Sequence, residues 1–167
     1  MRNIEKQRTI LWILTIIMLF NVFVSAYIGI EKAALLRGES NDICFASTGP
    51  SGGCGDVQLS DYGVILGVSV PTWGIVCFSF MAIMLASLAY SMHHRTPISE
   101  EKDIESTVQL VGICFVIGAL GAAYFIILQF FVIESICKYC MIIDSLTIIS
   151  TIVYFATFKK GADFYSI

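Results

Sequence analysis

The chain has 167 residues, 57% of them hydrophobic and 14% charged, with a mean hydropathy of +0.82. Soluble domains use about 45–50% apolar residues, so this composition excludes a soluble globular protein and defines a membrane protein. The formal net charge of -3 argues against nucleic-acid binding, which needs a basic surface.

Four stretches are long and uncharged enough to cross about 30 Å of hydrocarbon at about 1.5 Å per residue. They are residues 9–30, 63–92, 107–133 and 140–158, with Asp144 as the exception in the last, and the fourth span is taken as about 137–158 to include the CxxC. The expected architecture is an all-α membrane protein, a single domain over 1–167. It forms a four-transmembrane-helix bundle with a long outer loop between helices 1 and 2. The first stretch exceeds the roughly 7–15 apolar residues of a secretory signal core, and Ser25-Ala26-Tyr27 runs on into more apolar chain, so it is read as a span.

The loop 31–62 carries Cys44 and Cys54, nine residues apart through Phe45-Ala46-Ser47-Thr48-Gly49-Pro50-Ser51-Gly52-Gly53. These turn formers let the chain bend back and bring the two sulfurs together, a candidate pair. Cys77 and Cys114 fall inside the second and third stretches, where a buried thiol in apolar surroundings is inert, and they are read as packing residues. His93-His94 reads as a solvated helix end, because a metal site would need ligands that Glu100-Glu101 supply only weakly.

Cys137-Lys138-Tyr139-Cys140 opens the fourth stretch. On a helix, positions i and i+3 share a face with α-carbons about 5 Å apart, within disulfide range. The unpaired N–H groups of a first turn favour the thiolate, the form that exchanges disulfides. Seven Lys and Arg residues flank one side of the spans (Arg2, Lys6, Arg8, Arg95, Lys102, Lys159, Lys160) and three the other (Lys32, Arg37, Lys138), which puts both termini in the cytoplasm and all four loop and CxxC cysteines on the outer face. Two pairs on one face suit a relay, since thiolate attack on a neighbouring disulfide moves two electrons per step.

The run Cys54-Gly55-Asp56-Val57-Gln58-Leu59-Ser60-Asp61-Tyr62, then Leu66-Gly67-Val68 and Trp73-Gly74, followed by Cys137-x-x-Cys140, resembles the vitamin K epoxide reductase family. That family has a loop cysteine pair, a C-x-x-V-x-x-S-x-Y run, a Gly-x-Pro-like helix entrance and a CxxC opening the last helix of a four-helix bundle. Here the proline stands two positions late, in Gly67-Val68-Ser69-Val70-Pro71, and the loop spacing of nine exceeds the family's seven. The resemblance is to a bacterial-type homologue without a fused thioredoxin domain, in the inner (plasma) membrane.

The resemblance implies an electron path. Cys44 meets a thioredoxin-like exported protein, Cys54 exchanges with Cys137, and Cys140 stands next to a quinone of the ubiquinone or menaquinone type. The net reaction oxidises partner thiols, supporting disulfide-bond formation, and reduces the quinone. Ser60 matches a family serine, either a hydrogen-bond donor near the cofactor or a helix cap. Asp144 follows Cys140 by four residues and shares its face, which makes it either a proton source for the quinone or a carboxyl kept neutral near the interface. Gln129 and Asn21 read as helix-to-helix hydrogen bonders ahead of quinone ligands. Reduction of vitamin K epoxide is the second activity the resemblance implies. A different class is a zinc-stabilised scaffold without turnover, but C-x9-C suits zinc poorly beside the usual C-x2-C pairs, so no metal is expected.

Overall fold

A computed structural model describes residues 2–39, 53–91 and 101–158. Four long helices carry the architecture: α1 (Arg2–Leu36), α3 (Val70–Ser91), α4 (Glu101–Phe131) and α5 (Lys138–Phe158). A short helix α2 (Cys54–Leu59), a 3-10 turn (Asp61–Gly63) and a two-stranded hairpin of β1 (Val64–Ile65) and β2 (Val68–Ser69) lie between α1 and α3. All four long helices are apolar over enough residues to cross a membrane, so the chain is a multi-pass, all-α membrane protein.

Lipid and protein divide the helix surfaces. Phe23, Ile83 and Leu120 point outward and are exposed, as expected where hydrocarbon replaces water around the bundle. Inside, Leu11, Leu14 and Met18 of α1 interlock with Leu85 and Leu88 of α3, Phe115 of α4 and Tyr154 of α5. Hydrogen bonds lock α5 to α4, from Tyr154 Oη to the Val108 carbonyl at 2.7 Å and from Thr151 Oγ1 to the Phe115 carbonyl at 3.2 Å. Asn21, wholly buried on α1, donates to Thr147 Oγ1 of α5 at 3.4 Å. A polar group within a bundle that finds its partner on a neighbouring helix ties the two together. Gly74 brings α3 against α1, since a β-carbon there would stand 2.7 Å from Ser25 Oγ.

Two boundaries differ from the sequence expectation. The apolar stretch 63–92 is not one helix, because residues 64–69 form the hairpin, paired Val64 with Ser69 and Ile65 with Val68. Leu66 and Gly67 close it, both with positive φ, the backbone of a two-residue turn whose twist matches its strands. Pro71 then sits in the first turn of α3, where no N–H is missed. The other difference is at α1, which continues through Glu31 to Leu36. A charge ends a membrane span but not a helix, and Glu-Lys-Ala-Ala-Leu-Leu is strong helix-forming sequence.

Candidate active site

Cys137 is the N-cap of α5 and not its first residue. Its carbonyl accepts the Met141 N–H at 3.0 Å, and its Sγ accepts the Cys140 N–H at 3.3 Å, the bond an N-cap serine or aspartate oxygen makes. The backbone of Cys137 is held from α4, where Gln129 Oε1 takes its N–H at 2.8 Å while the Gln129 carbonyl takes that of Ser135 at 3.1 Å. One buried glutamine thus shapes the whole α4–α5 turn, in which Glu134 has a φ of 52°. Tyr139 packs edge-on against Tyr27 of α1, ring centroids 5.2 Å apart, and fixes the CxxC laterally.

Cys54 opens α2 and has no solvent exposure, like Cys137, and the two share one buried cluster with Ile28, Val57 and Ile143. Cys54 is disulfide-bonded, whereas Cys77, Cys114, Cys137 and Cys140 are free. A disulfide sulfur is no thiolate ligand, and among the described residues no cluster of three or more His, Cys, Asp or Glu could hold a metal. Cys44, His93 and His94 lie outside the described residues.

The thiol of Cys140 hydrogen-bonds to Cys137 Sγ and pulls the Cys137 pKa below the ordinary thiol value. The N–H groups of Cys140 and Tyr139 act in the same direction. Burial and the Asp144 charge oppose them without reversing the sign. Cys137 is therefore more readily ionised than an ordinary cysteine, and Cys140 follows it within the first turn of α5.

Beneath the CxxC lies a cavity of about 570 Å³ bounded by α1, the loop elements, α3, α4 and α5. Its wall is apolar apart from a few groups, among them Cys140, Gln58, Asp144 and Gln129. Gln58 of α2, buried, donates from Nε2 to Cys140 Sγ at 3.4 Å. Asp144 is buried too, and its Oδ2 has no hydrogen-bond partner. The size falls within the roughly 300–1,000 Å³ of small-molecule sites, and an apolar wall with a few polar atoms suits a lipophilic small molecule.

The sequence-derived candidates are distributed unevenly over this geometry. Cys54, Cys137 and Cys140 meet in one packed cluster, and Cys140 and Asp144 stand on the cavity wall. Ser60 does not line the cavity; its hydroxyl donates to the Val57 carbonyl at 2.8 Å at the end of α2, where an open helix end has acceptors to fill. Cys77 is exposed and so is not a buried packing thiol, whereas Cys114 is half-buried and packs against the core; both also lie on the cavity wall. The physical reason is that the space between α3 and α4 is hollow at this level, which an apolar sequence does not reveal. Gln58 is not singled out by the sequence, where it appears only within the run that follows Cys54 and nothing marks the short helix that turns it toward Cys140.

Fold and site together define a membrane oxidoreductase, with a free thiol pair at the head of a helix and over an apolar cavity. The vitamin K epoxide reductase family matches residues 12–155, and the chain belongs to that family. No curated protein matches the chain.

Proposed function

We propose that this protein is a quinone-dependent thiol-disulfide oxidoreductase, working as one membrane domain that supports disulfide-bond formation in exported proteins. A reduced thioredoxin-like partner attacks the disulfide between Cys44 and Cys54. The freed Cys54 thiolate attacks Cys137 of a Cys137–Cys140 disulfide and releases Cys140. The partner's second thiol then displaces Cys44 from the mixed disulfide as the oxidised partner leaves, and Cys44 attacks Cys54 to close the loop disulfide and release Cys137, so both helix cysteines end reduced. Cys137 and Cys140 then return to the disulfide as two electrons and two protons pass to a quinone substrate. Asp144 is the proton donor nearest to that step, and Gln129 holds Cys137 in place.

The observation that carries this reading is the arrangement of three cysteines. Cys54 and Cys137 are buried in one cluster, and Cys140, three residues from Cys137, is on the wall of the cavity. Thiol exchange can therefore occur on one side of the CxxC and ring chemistry on the other. The distribution of Lys and Arg supports cytoplasmic termini and an outward-facing redox site, and the resemblance to bacterial-type homologues supports an inner membrane as its setting.

The test is to mix purified protein with a reduced thioredoxin-like substrate and a soluble quinone and to follow free thiols and quinone absorbance together. Coupled loss of both is expected, and Cys140→Ser is expected to end quinone reduction while the partner still exchanges with the loop pair. Quinone turnover near the wild-type rate in Cys140→Ser would overturn the assignment.

A further inference from the structure

Gln58 is 3% exposed, lies on the cavity wall and gives one N–H to Cys140 Sγ, yet its Oε1 has no hydrogen-bond partner. An orphaned buried amide oxygen is costly, and here it is retained beside a reactive sulfur. The backbone of α2 at Gln58 is also held from behind. Gly63 packs so closely on the Gln58 carbonyl that a β-carbon at 63 would collide with it, and Lys32 Nζ, buried at the end of α1, pins the Gly63 carbonyl at 3.0 Å. Gly53 N–H fixes the start of α2 on Asp56 Oδ2 at 3.1 Å. The backbone that carries Gln58 is therefore fixed by three neighbouring contacts, and the side-chain amide is held by its bond to Cys140 Sγ.

The chemistry of the ring decides what an unpaired acceptor at this wall can recognise. A quinone offers two carbonyl oxygens, which only accept hydrogen bonds. When Cys137 and Cys140 give up two S–H hydrogens and form one S–S bond, the two electrons and two protons turn those carbonyls into two hydroxyls, and each hydroxyl donates. An amide oxygen gains nothing from the oxidised ring and gains a hydrogen bond from the reduced one.

Resting on the quinone reading above, we propose that Gln58 is a catalytic residue that touches both reacting partners. Its Nε2 holds the Cys140 sulfur, and its Oε1 accepts a hydroxyl of the hydroquinone, so that the site binds the reduced ring more tightly than the oxidised one. Differential binding of this kind favours electron transfer toward the ring without any change in the cysteines. Gly63 and Lys32 act as positioning residues for it.

The test uses full-length protein carrying Cys137→Ser, which cannot close the CxxC and so binds a ring without turnover. Trp73 lies on the cavity wall, and with the other tryptophan removed by Trp12→Phe its fluorescence quenching reports binding of a short-chain quinone, or of its hydroquinone under anaerobic conditions. Gln58→Leu is expected to weaken hydroquinone binding about five- to tenfold, the range of one hydrogen bond, and quinone binding by less than about twofold. Gln58→Glu keeps an acceptor and loses the amide donor. It is expected to keep hydroquinone affinity within about threefold, while in protein with Cys137 intact it lowers kcat for quinone reduction about tenfold. Equal weakening of both rings in Gln58→Leu, or hydroquinone affinity in Gln58→Glu as poor as in Gln58→Leu, would make Gln58 a plain wall residue and overturn the proposal. If neither ring quenches Trp73 and Cys137-intact protein reduces no quinone, the quinone reading itself fails and takes this proposal with it. That outcome is distinguishable because it is already present with Gln58 unchanged.

Discussion

At Cys137 the hydrogen bonds on sulfur outweigh its burial. The Cys140 thiol and two backbone N–H groups all point their hydrogens at Cys137, and the net direction is toward a more acidic thiol. In reduced protein, alkylation of Cys137 by iodoacetamide should therefore gain its full rate at a pH below that for an ordinary cysteine. Because the Cys140 thiol is the largest cause, Cys140→Ala should move the midpoint upward; mass spectrometry of Cys137 across a pH series reads both. An unmoved midpoint would assign the shift to the helix end alone. Gln129 gives a second measurable effect. Gln129→Leu leaves the buried Cys137 N–H without an acceptor and should cost about 1–3 kcal/mol, whereas Gln129→Glu keeps the oxygen and most of the stability. Thermal unfolding in detergent compares them, and equal midpoints for Leu and wild type would contradict the bond. A polar residue inside a span reads only as a helix tie, since which backbone group it finds depends on how the next turn is built.

The elements show where reading stops. The four long helices were legible because hydrocarbon crossing demands length and few charges, and both can be counted. The hairpin was not, because Val64, Ile65, Leu66 and Val68 are as apolar as the helix that follows, leaving Gly67 and Pro71 as weak punctuation. The CxxC was legible for the same reason the short helix α2 was not: cysteine spacing is a fixed chemical signal, while six residues of helix carry almost none. The hairpin itself makes a prediction. Leu66 has a φ of 53° and is 90% exposed, a backbone that side chains other than asparagine, aspartate or glycine adopt at a cost. Leu66→Asn gives the Asn-Gly turn these strands favour and should stabilise the protein by about 1 kcal/mol. A lower unfolding midpoint would show instead that Leu66 supports the fold through its apolar contacts.

Over the whole molecule, packing is uneven along the bundle. The cluster of Leu11, Leu14, Leu85, Phe115 and Tyr154 is solid, whereas the end that carries the cysteines is hollow, with a cap of buried residues around Cys54 and Cys137 above the cavity. That division suits a relay, and it is testable without turnover. In Cys44→Ser protein, Cys54 lacks its proposed resolving neighbour, so a Cys54–Cys137 disulfide should accumulate and be found as one crosslinked peptide pair after alkylation without reduction. Cys54 recovered as a free thiol, with Cys137 still bonded to Cys140, would mean that partners reduce the CxxC directly. The capping role of Cys137 has a mechanical side as well. The sulfur that caps the Cys140 amide is the one that a closed CxxC would bond, and a disulfide sulfur is a weaker acceptor than a thiolate, so the cap on the first turn of α5 is expected to weaken on oxidation and recover on reduction. Electron flow is thereby written into the fraying of a helix end, and the hydrogen-exchange rate of one backbone amide, faster in the oxidised protein than in the reduced one, becomes a gauge of the redox state of the whole bundle.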